Sequence, residues 1–245
     1  GFDPAELAKM LSAGQINALS AVPTLLRILL ASPEVIGTSG HKLRWMEIGS
    51  QQFTAEEKQA IKAMFPKARI VQHYGLTEAS RSTFLQVSEI EDDRLESVGQ
   101  PVGQAEVALD SQGRIRIRGP HVARSRIDAD GLHALLDADG WLQTNDLGHM
   151  SDGYLYFDGR ADDLINCGGV KIVPDQLEAV LRARLAPGAQ ICVARIPDKD
   201  RGDGVLVAVE GDGKDTDQVR RLADSALRNM GVAAGGALHV TAVDI

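Results

Sequence analysis

The chain has 245 residues, 44% of them hydrophobic and 24% charged, which is enough for one large core or two modest ones in an ordinary globular protein. The formal net charge is −8, and the 26 Lys and Arg are scattered along the chain, so nucleic acid is not expected as the main partner. The apolar run Leu25 to Ala31 is interrupted by Arg27 and too short to span a bilayer; no basic-apolar leader opens the chain, and Cys167 and Cys192 are too few for a disulfide framework, so a cytoplasmic location is expected.

In chain order, Asp3-Pro4-Ala5-Glu6 opens a first helix, with an acceptor at the N-cap and Pro at the first helical position, and Gly14 closes it. Residues 15–22 read as extended, and Pro23 opens a second helix through Leu30. Leu43 to Ile48 is an apolar strand, and Thr54 with Glu57 forms a capping box for a helix whose buried stripe is Ile61, Met64 and Phe65. Arg69 to His73 is the next strand, which predicts a parallel βαβ unit. Thr38-Ser39-Gly40-His41 reads as a turn.

After about residue 100 the period shortens. Glu106 to Leu109 and Arg114 to Arg118 form a hairpin around Asp110 to Gly113, and Arg114, Arg116 and Arg118 alternate with Ile115 and Ile117 as a solvated face. Asp128-Ala129-Asp130-Gly131 and Asp137-Ala138-Asp139-Gly140 form a near-repeat. Paired acidic turns of this kind can ligate calcium, but the reading favoured is two turns bracketing a short helix. Trp141 to Thr144 and Tyr154 to Phe157 add two strands. A third region has a helix from Pro174 to Leu185, strands at Ile191 to Ile196 and Val205 to Val209, a helix from Asp215 to Met230 and a last strand at Leu238 to Val243. The expected fold class is α/β: part of a larger parallel-sheet domain over residues 1–100, a β-rich subdomain over 101–160, and a small α+β domain over 161–245.

Three segments carry chemistry. Tyr74-Gly75-Leu76-Thr77-Glu78 follows a strand, where open α/β sheets place their ligands; Thr can donate to a phosphate oxygen and Glu can hold a hard cation. Gly140-Trp141-Leu142-Gln143-Thr144-Asn145-Asp146-Leu147-Gly148 carries near its end an Asp that reads as following a strand and that could accept from ribose hydroxyls, although a turn residue is the bland alternative. Gly159-Arg160-Ala161-Asp162-Asp163 leads to Gly168-Gly169-Val170-Lys171, a glycine-tipped hairpin preceded by an Arg that can fork onto oxygens.

Together, in this order, the segments resemble the YGxTE, GWxxTGDLG and GRxDDxIxxGGxxIxPxxxE patterns of the adenylate-forming superfamily, which includes acyl-CoA synthetases, peptide-synthetase adenylation domains and luciferases. The resemblance runs from about Val22 to the end of the chain. It implies ATP-dependent activation of a carboxylic acid to an acyl-AMP, then transfer to coenzyme A, with Mg²⁺ as metal. By the resemblance Thr77 holds phosphate and Glu78 the magnesium. Gly49, Ser50, Gln51, His73, Tyr74, Gly75, Leu76 and Phe157 line the nucleotide side, and Asp146 and Arg160 hold the ribose. Asp162 is the hinge of a mobile C-terminal domain, and Gly168, Gly169 and the catalytic Lys171 flank the coenzyme A channel. A homodimer is compatible with the resemblance.

Departures are visible. Asn145 replaces the usual Gly before Asp146, Gln51-Gln52 replaces Ala-Pro, and Ser125-Arg126 replaces Gly-Tyr. No Ser/Thr/Gly-rich phosphate loop occurs, and the pattern PxTxxGKxxR that supplies the adenylating lysine would follow Ile245. The isolated chain is therefore expected to be an inactive or nearly inactive part of the enzyme that holds AMP weakly. A carrier protein in place of coenzyme A, a fatty acyl-AMP ligase and a degenerate AMP-binding module stay open as alternatives. Small, aromatic and fatty acids all stay open as substrates.

Overall fold

The computed structural model describes residues 2–49, 52–186, 189–211 and 216–243. The chain folds as two units, residues 1–157 and 158–245.

In the first unit, α1 (Pro4–Ser12) begins where expected: Asp3 accepts a hydrogen bond from the Ala5 amide, and Pro4 fills the first helical position. β1 (Ala18–Ala21), α2 (Pro23–Ala31) and α3 (Pro33–Ile36) follow, and the Thr38 to His41 segment lies within a 3-10 helix over Gly37–Lys42. After β2 (Trp45–Ile48) comes α4 (Ala55–Met64), whose Thr54–Glu57 capping box is complete in both directions. β3 (Arg69–Leu76), β4 (Ala79–Leu85) and β5 (Gln100–Pro101) complete a five-stranded sheet in the order β1-β2-β3-β4-β5. The first three strands are parallel and the last two antiparallel, so the predicted βαβ unit joins β2 to β3 through α4. Met46, Ile48 and Ile70 pack with Leu7 and Leu11 of α1, Leu26 and Leu29 of α2 and Ile61 of α4 in one apolar core.

A second sheet in this unit is antiparallel. β6 (Glu106–Leu109) and β7 (Arg114–Arg118) form the predicted hairpin. Ile115 and Ile117 are buried, while the arginines are half-buried rather than a freely solvated face. Arg116 and Arg118 lie 5.2 and 4.5 Å from the Trp141 ring centroid and pair with Asp137 and Glu106. The segment between the two Asp-x-Asp-Gly turns is not a short helix. It is part of the hairpin β8 (Ser125–Asp128) and β9 (Gly131–Ala134), in which Ile127 and Leu132 face each other across the strands. Both turns are as expected: Asp128 accepts from the Asp130 amide, and Asp137 from the amides of Asp139 and Trp141. β10 (Leu142–Ser151) and β11 (Tyr154–Arg160) complete the sheet order β11-β10-β7-β6, and β11 carries the chain into the second unit.

The second unit is a small α+β domain. β12 (Ile165–Cys167) and β13 (Val170–Ile172) form the glycine-tipped hairpin, followed by α5 (Pro174–Arg182). β14 (Ile191–Asp198) and β15 (Gly202–Glu210) pair antiparallel; then α6 (Thr216–Asn229) leads to β16 (Leu238–Val243), which returns parallel to β15. Leu177 and Leu181 of α5 and Val219, Ala223 and Leu227 of α6 cover the buried valines Val193, Val205 and Val207.

Candidate functional site

The first motif does not simply follow a strand. Tyr74, Gly75 and Leu76 are the last three residues of β3, and Thr77-Glu78 are the two-residue connection to β4. Thr77 is exposed, Glu78 is half-buried, and the Glu78 carbonyl accepts from the Ala123 amide at 2.8 Å. The Glu78 carboxylate has no hydrogen bond or ion pair among the described residues, and none of the described residues forms a cluster of three or more metal-ligating side chains. One unengaged carboxylate suits Mg²⁺, which commonly takes one or two protein carboxylates and completes its shell with phosphate oxygens and water.

The second motif is also inside a strand: Asp146 lies within β10, not after it, and is buried. The two motifs meet there. The Tyr74 hydroxyl donates to Asp146 Oδ2 at 2.7 Å, the Asp146 amide donates to Thr144 Oγ1, and the Thr144 hydroxyl donates to the Ile115 carbonyl at 2.7 Å. Phe157 of β11 lies 6.2 Å, centroid to centroid, from the Tyr74 ring. Tyr74, Asp146 and Phe157 therefore form one assembly drawn from β3, β10 and β11.

Gly49 and His73 form a second contact. A Cβ on Gly49 would lie 2.2 Å from His73 Cε1, so only glycine lets the imidazole rest against this backbone. Two residues that the motifs do not include complete the group. Glu47 Oε1 is 3.1 Å from His73 Nδ1, and Arg81 grips Glu47 through Nε to Oε1 at 2.6 Å and Nη2 to Oε2 at 3.2 Å. The hydrogen bond from Arg81 holds the Glu47 carboxyl below its usual range, and burial holds the His73 imidazole below its own. The group thus favours Glu47 as carboxylate, Arg81 as cation and His73 as neutral ring. Sequence reasoning missed Glu47 and Arg81 because their partnership crosses three strands; the charged Glu47 inside the apolar run Trp45–Ile48 was the one available signal.

Ser50 and Gln51 lie outside the described residues. The remaining expected residues belong to the second unit. Arg160 Nε and Nη2 reach Asp162 at 3.0 and 2.8 Å, so the expected ribose and hinge residues are paired with each other. Gly168 and Gly169 form the turn between β12 and β13, with φ of 63° and 89°, and Lys171 is exposed on β13. The Gly168 amide donates to the Arg201 carbonyl at 2.9 Å.

Comparison with known proteins places the chain in a family. A family model described as AMP-binding enzyme matches residues 1–125. The chain is 31% identical over 214 residues to 4-coumarate–CoA ligase-like 6 of Oryza sativa subsp. japonica, a match that covers 82% of this chain and 36% of that protein. It is 31% identical over 221 residues to the medium/long-chain-fatty-acid–CoA ligase FadD8 of Mycobacterium tuberculosis, covering 85% of this chain and 38% of that one. The ATP-bound structure of MatB from Rhodopseudomonas palustris superposes with a TM-score of 0.77 at 26% identity, covering 100% of this chain and 50% of that chain. The chain thus spans well under half the length of these two curated relatives.

Proposed function

The chain belongs to the AMP-binding enzymes of the adenylate-forming superfamily, and on that premise we propose that it carries one wall of the active site of an AMP-forming acyl-CoA ligase. The observation that carries the reading is the hydrogen bond from Tyr74 to Asp146, which joins the first two motifs in one buried assembly.

In the proposed reaction an oxygen of the substrate carboxylate attacks the α-phosphorus of ATP. Pyrophosphate leaves and an acyl-AMP forms. The sulfur of coenzyme A then attacks the acyl carbon, AMP leaves as the displaced group, and the thiol proton passes to solvent. Thr77, exposed at the β3–β4 connection, donates to a phosphate oxygen. Asp146, held in orientation by Tyr74, accepts from the ribose hydroxyls, while Gly49, His73, Gly75, Leu76 and Phe157 line the nucleotide and acyl side. Glu78 would hold Mg²⁺, which would neutralise charge on the phosphate oxygens. By the family resemblance, Arg160 has a ribose-binding role and Asp162 the role of a hinge residue. The open Gly168-Gly169 tip and Lys171 then flank the incoming thiol.

The test uses the full-length protein. Glu78→Ala and Asp146→Ala are each expected to lower ATP–pyrophosphate exchange by about 10²–10³-fold. Unchanged exchange in both would remove the assignment. Supplying coenzyme A to the preformed acyl-adenylate separates a thioester-forming enzyme from one that hands its product to a carrier protein.

A further inference from the structure

Glu47 and Arg81 lie outside all three motifs, yet they join the His73 ring in a polar row across β2, β3 and β4. A bulge brings Arg81 there. Tyr74 pairs with Thr83 and Leu76 with Ala79, so Gly75 alone faces Ser80, Arg81 and Ser82. The bulge folds tightly over Gly75, where a Cβ would lie 2.5 Å from both the Ala79 carbonyl oxygen and the Arg81 nitrogen. Arg81 takes a φ of 57°, a left-handed conformation that a non-glycine residue adopts at a cost. The fork onto Glu47 is the interaction that the conformation makes available.

The row is largely withdrawn from water on one side and open on the other. The Glu47 and His73 side chains are 15% and 18% exposed, whereas the Arg81 side chain is 52% exposed. Of the five guanidinium N–H groups of Arg81, two go to Glu47 and one, on Nη1, reaches the Ser80 hydroxyl at 3.4 Å, so two donors remain for its open side. A saturated chain laid against this row would strip water from an ion pair and return no hydrogen bond. A ligand group with an acceptor oxygen would satisfy those donors instead.

We propose that Glu47, Arg81 and His73 form a specificity wall beside Gly49, which selects an acid whose acyl chain bears a hydrogen-bond acceptor over an unsubstituted straight-chain acid. Within the wall, Glu47 is a positioning residue: it acts through Arg81 and His73 and needs no contact with the acid itself. The proposal rests on the reading of the adjacent motif as an acyl-adenylate site.

The experiment measures binding of two hydrolysis-resistant acyl-sulfamoyl adenosines, one with an octanoyl and one with a 3-carboxypropanoyl chain, to the full-length protein. The wild type is expected to bind the carboxypropanoyl compound at least about tenfold more tightly. The paired variant Glu47→Val with Arg81→Met should shift the ratio of the two affinities toward the octanoyl compound by about tenfold or more. Arg81→Lys, which keeps the cation, should hold the ratio within about threefold of wild type, an outcome that a general loss of packing would not give. If both compounds bind and the paired variant leaves the ratio unchanged, the specificity wall is wrong while the site assignment stands. If neither compound binds the wild type, the site assignment falls and the wall with it.

Discussion

The Tyr74 hydroxyl and Asp146 Oδ2, 72 residues apart in sequence, lie 2.7 Å apart in the interior of the first unit and tie β3 to β10. Removing one partner from a buried hydrogen-bond acceptor costs about 1–3 kcal/mol. Tyr74→Phe keeps the ring near Phe157 and removes only the donor. It should lower the stability of the first unit by that amount, read as a fall in urea midpoint at unchanged slope. A change under about 0.5 kcal/mol, the ordinary range of surface substitutions, would mean that the bond does not hold the two strands together.

Lys58 gives a pH dependence. It is fully buried in α4, donating to the Leu95 carbonyl and, at 3.0 Å, to the Ser97 carbonyl. Burial pushes its pKa down from 10.5 to about 8, against the pull of Glu96 and Glu57. Between those values the unfolded chain binds a proton that the folded chain lacks, so stability rises with pH across that window, by roughly 3 kcal/mol. It is lowest below pH 8, where both states carry the charge. Urea unfolding at the two ends of the window should show this gain in the wild type, and Lys58→Met should flatten it. Parallel curves for the two proteins would contradict the assignment.

Gly49→Ala places a methyl inside the contact distance of the His73 ring. The ring or the strand must move, at a cost of about 1–3 kcal/mol. The His73 imidazole resonances should shift with it. An alanine variant of wild-type stability with unshifted resonances would show that the ring does not rest on Gly49.

In the second unit Glu178 bridges α5 to β14, accepting from the Val193 amide at 2.8 Å and from Arg182 Nη2 at 2.5 Å. Glu178→Ala leaves that amide without its acceptor. Hydrogen exchange at Val193 should accelerate by at least about tenfold, with amides of the first unit unchanged. Unchanged exchange at Val193 would remove the bridge.

Local signals made much of this fold legible. The Thr54–Glu57 capping box, the prolines that open α1, α2 and α5, and the alternation of Arg114 to Arg118 each determine structure within a few residues. What was not legible depends on distant partners. β3 continues through Tyr74 to Leu76 because β4 folds back on it, a pairing that no local pattern announces. Asp146 lies within a long strand whose register with β7 shifts after Gln143, so its placement comes from the sheet rather than from a turn. Lys58 sits three positions before Ile61 on the buried stripe, but its residue type hides it until the Leu95 and Ser97 carbonyls are seen to receive it. The Glu47–Arg81 fork needs a bulge and two intervening strand spacings.

The central claim is that Asp146 belongs to a nucleotide site. Calorimetric titration of the 245-residue chain with AMP, for the wild type and for the isosteric Asp146→Asn, tests it most directly. The account predicts weak, saturable binding to the wild type and a loss of about tenfold or more in affinity in the variant, the effect of replacing an acceptor oxygen by an amide donor. Equal affinity for AMP in the two proteins, or no saturable binding to a folded wild type, would contradict it.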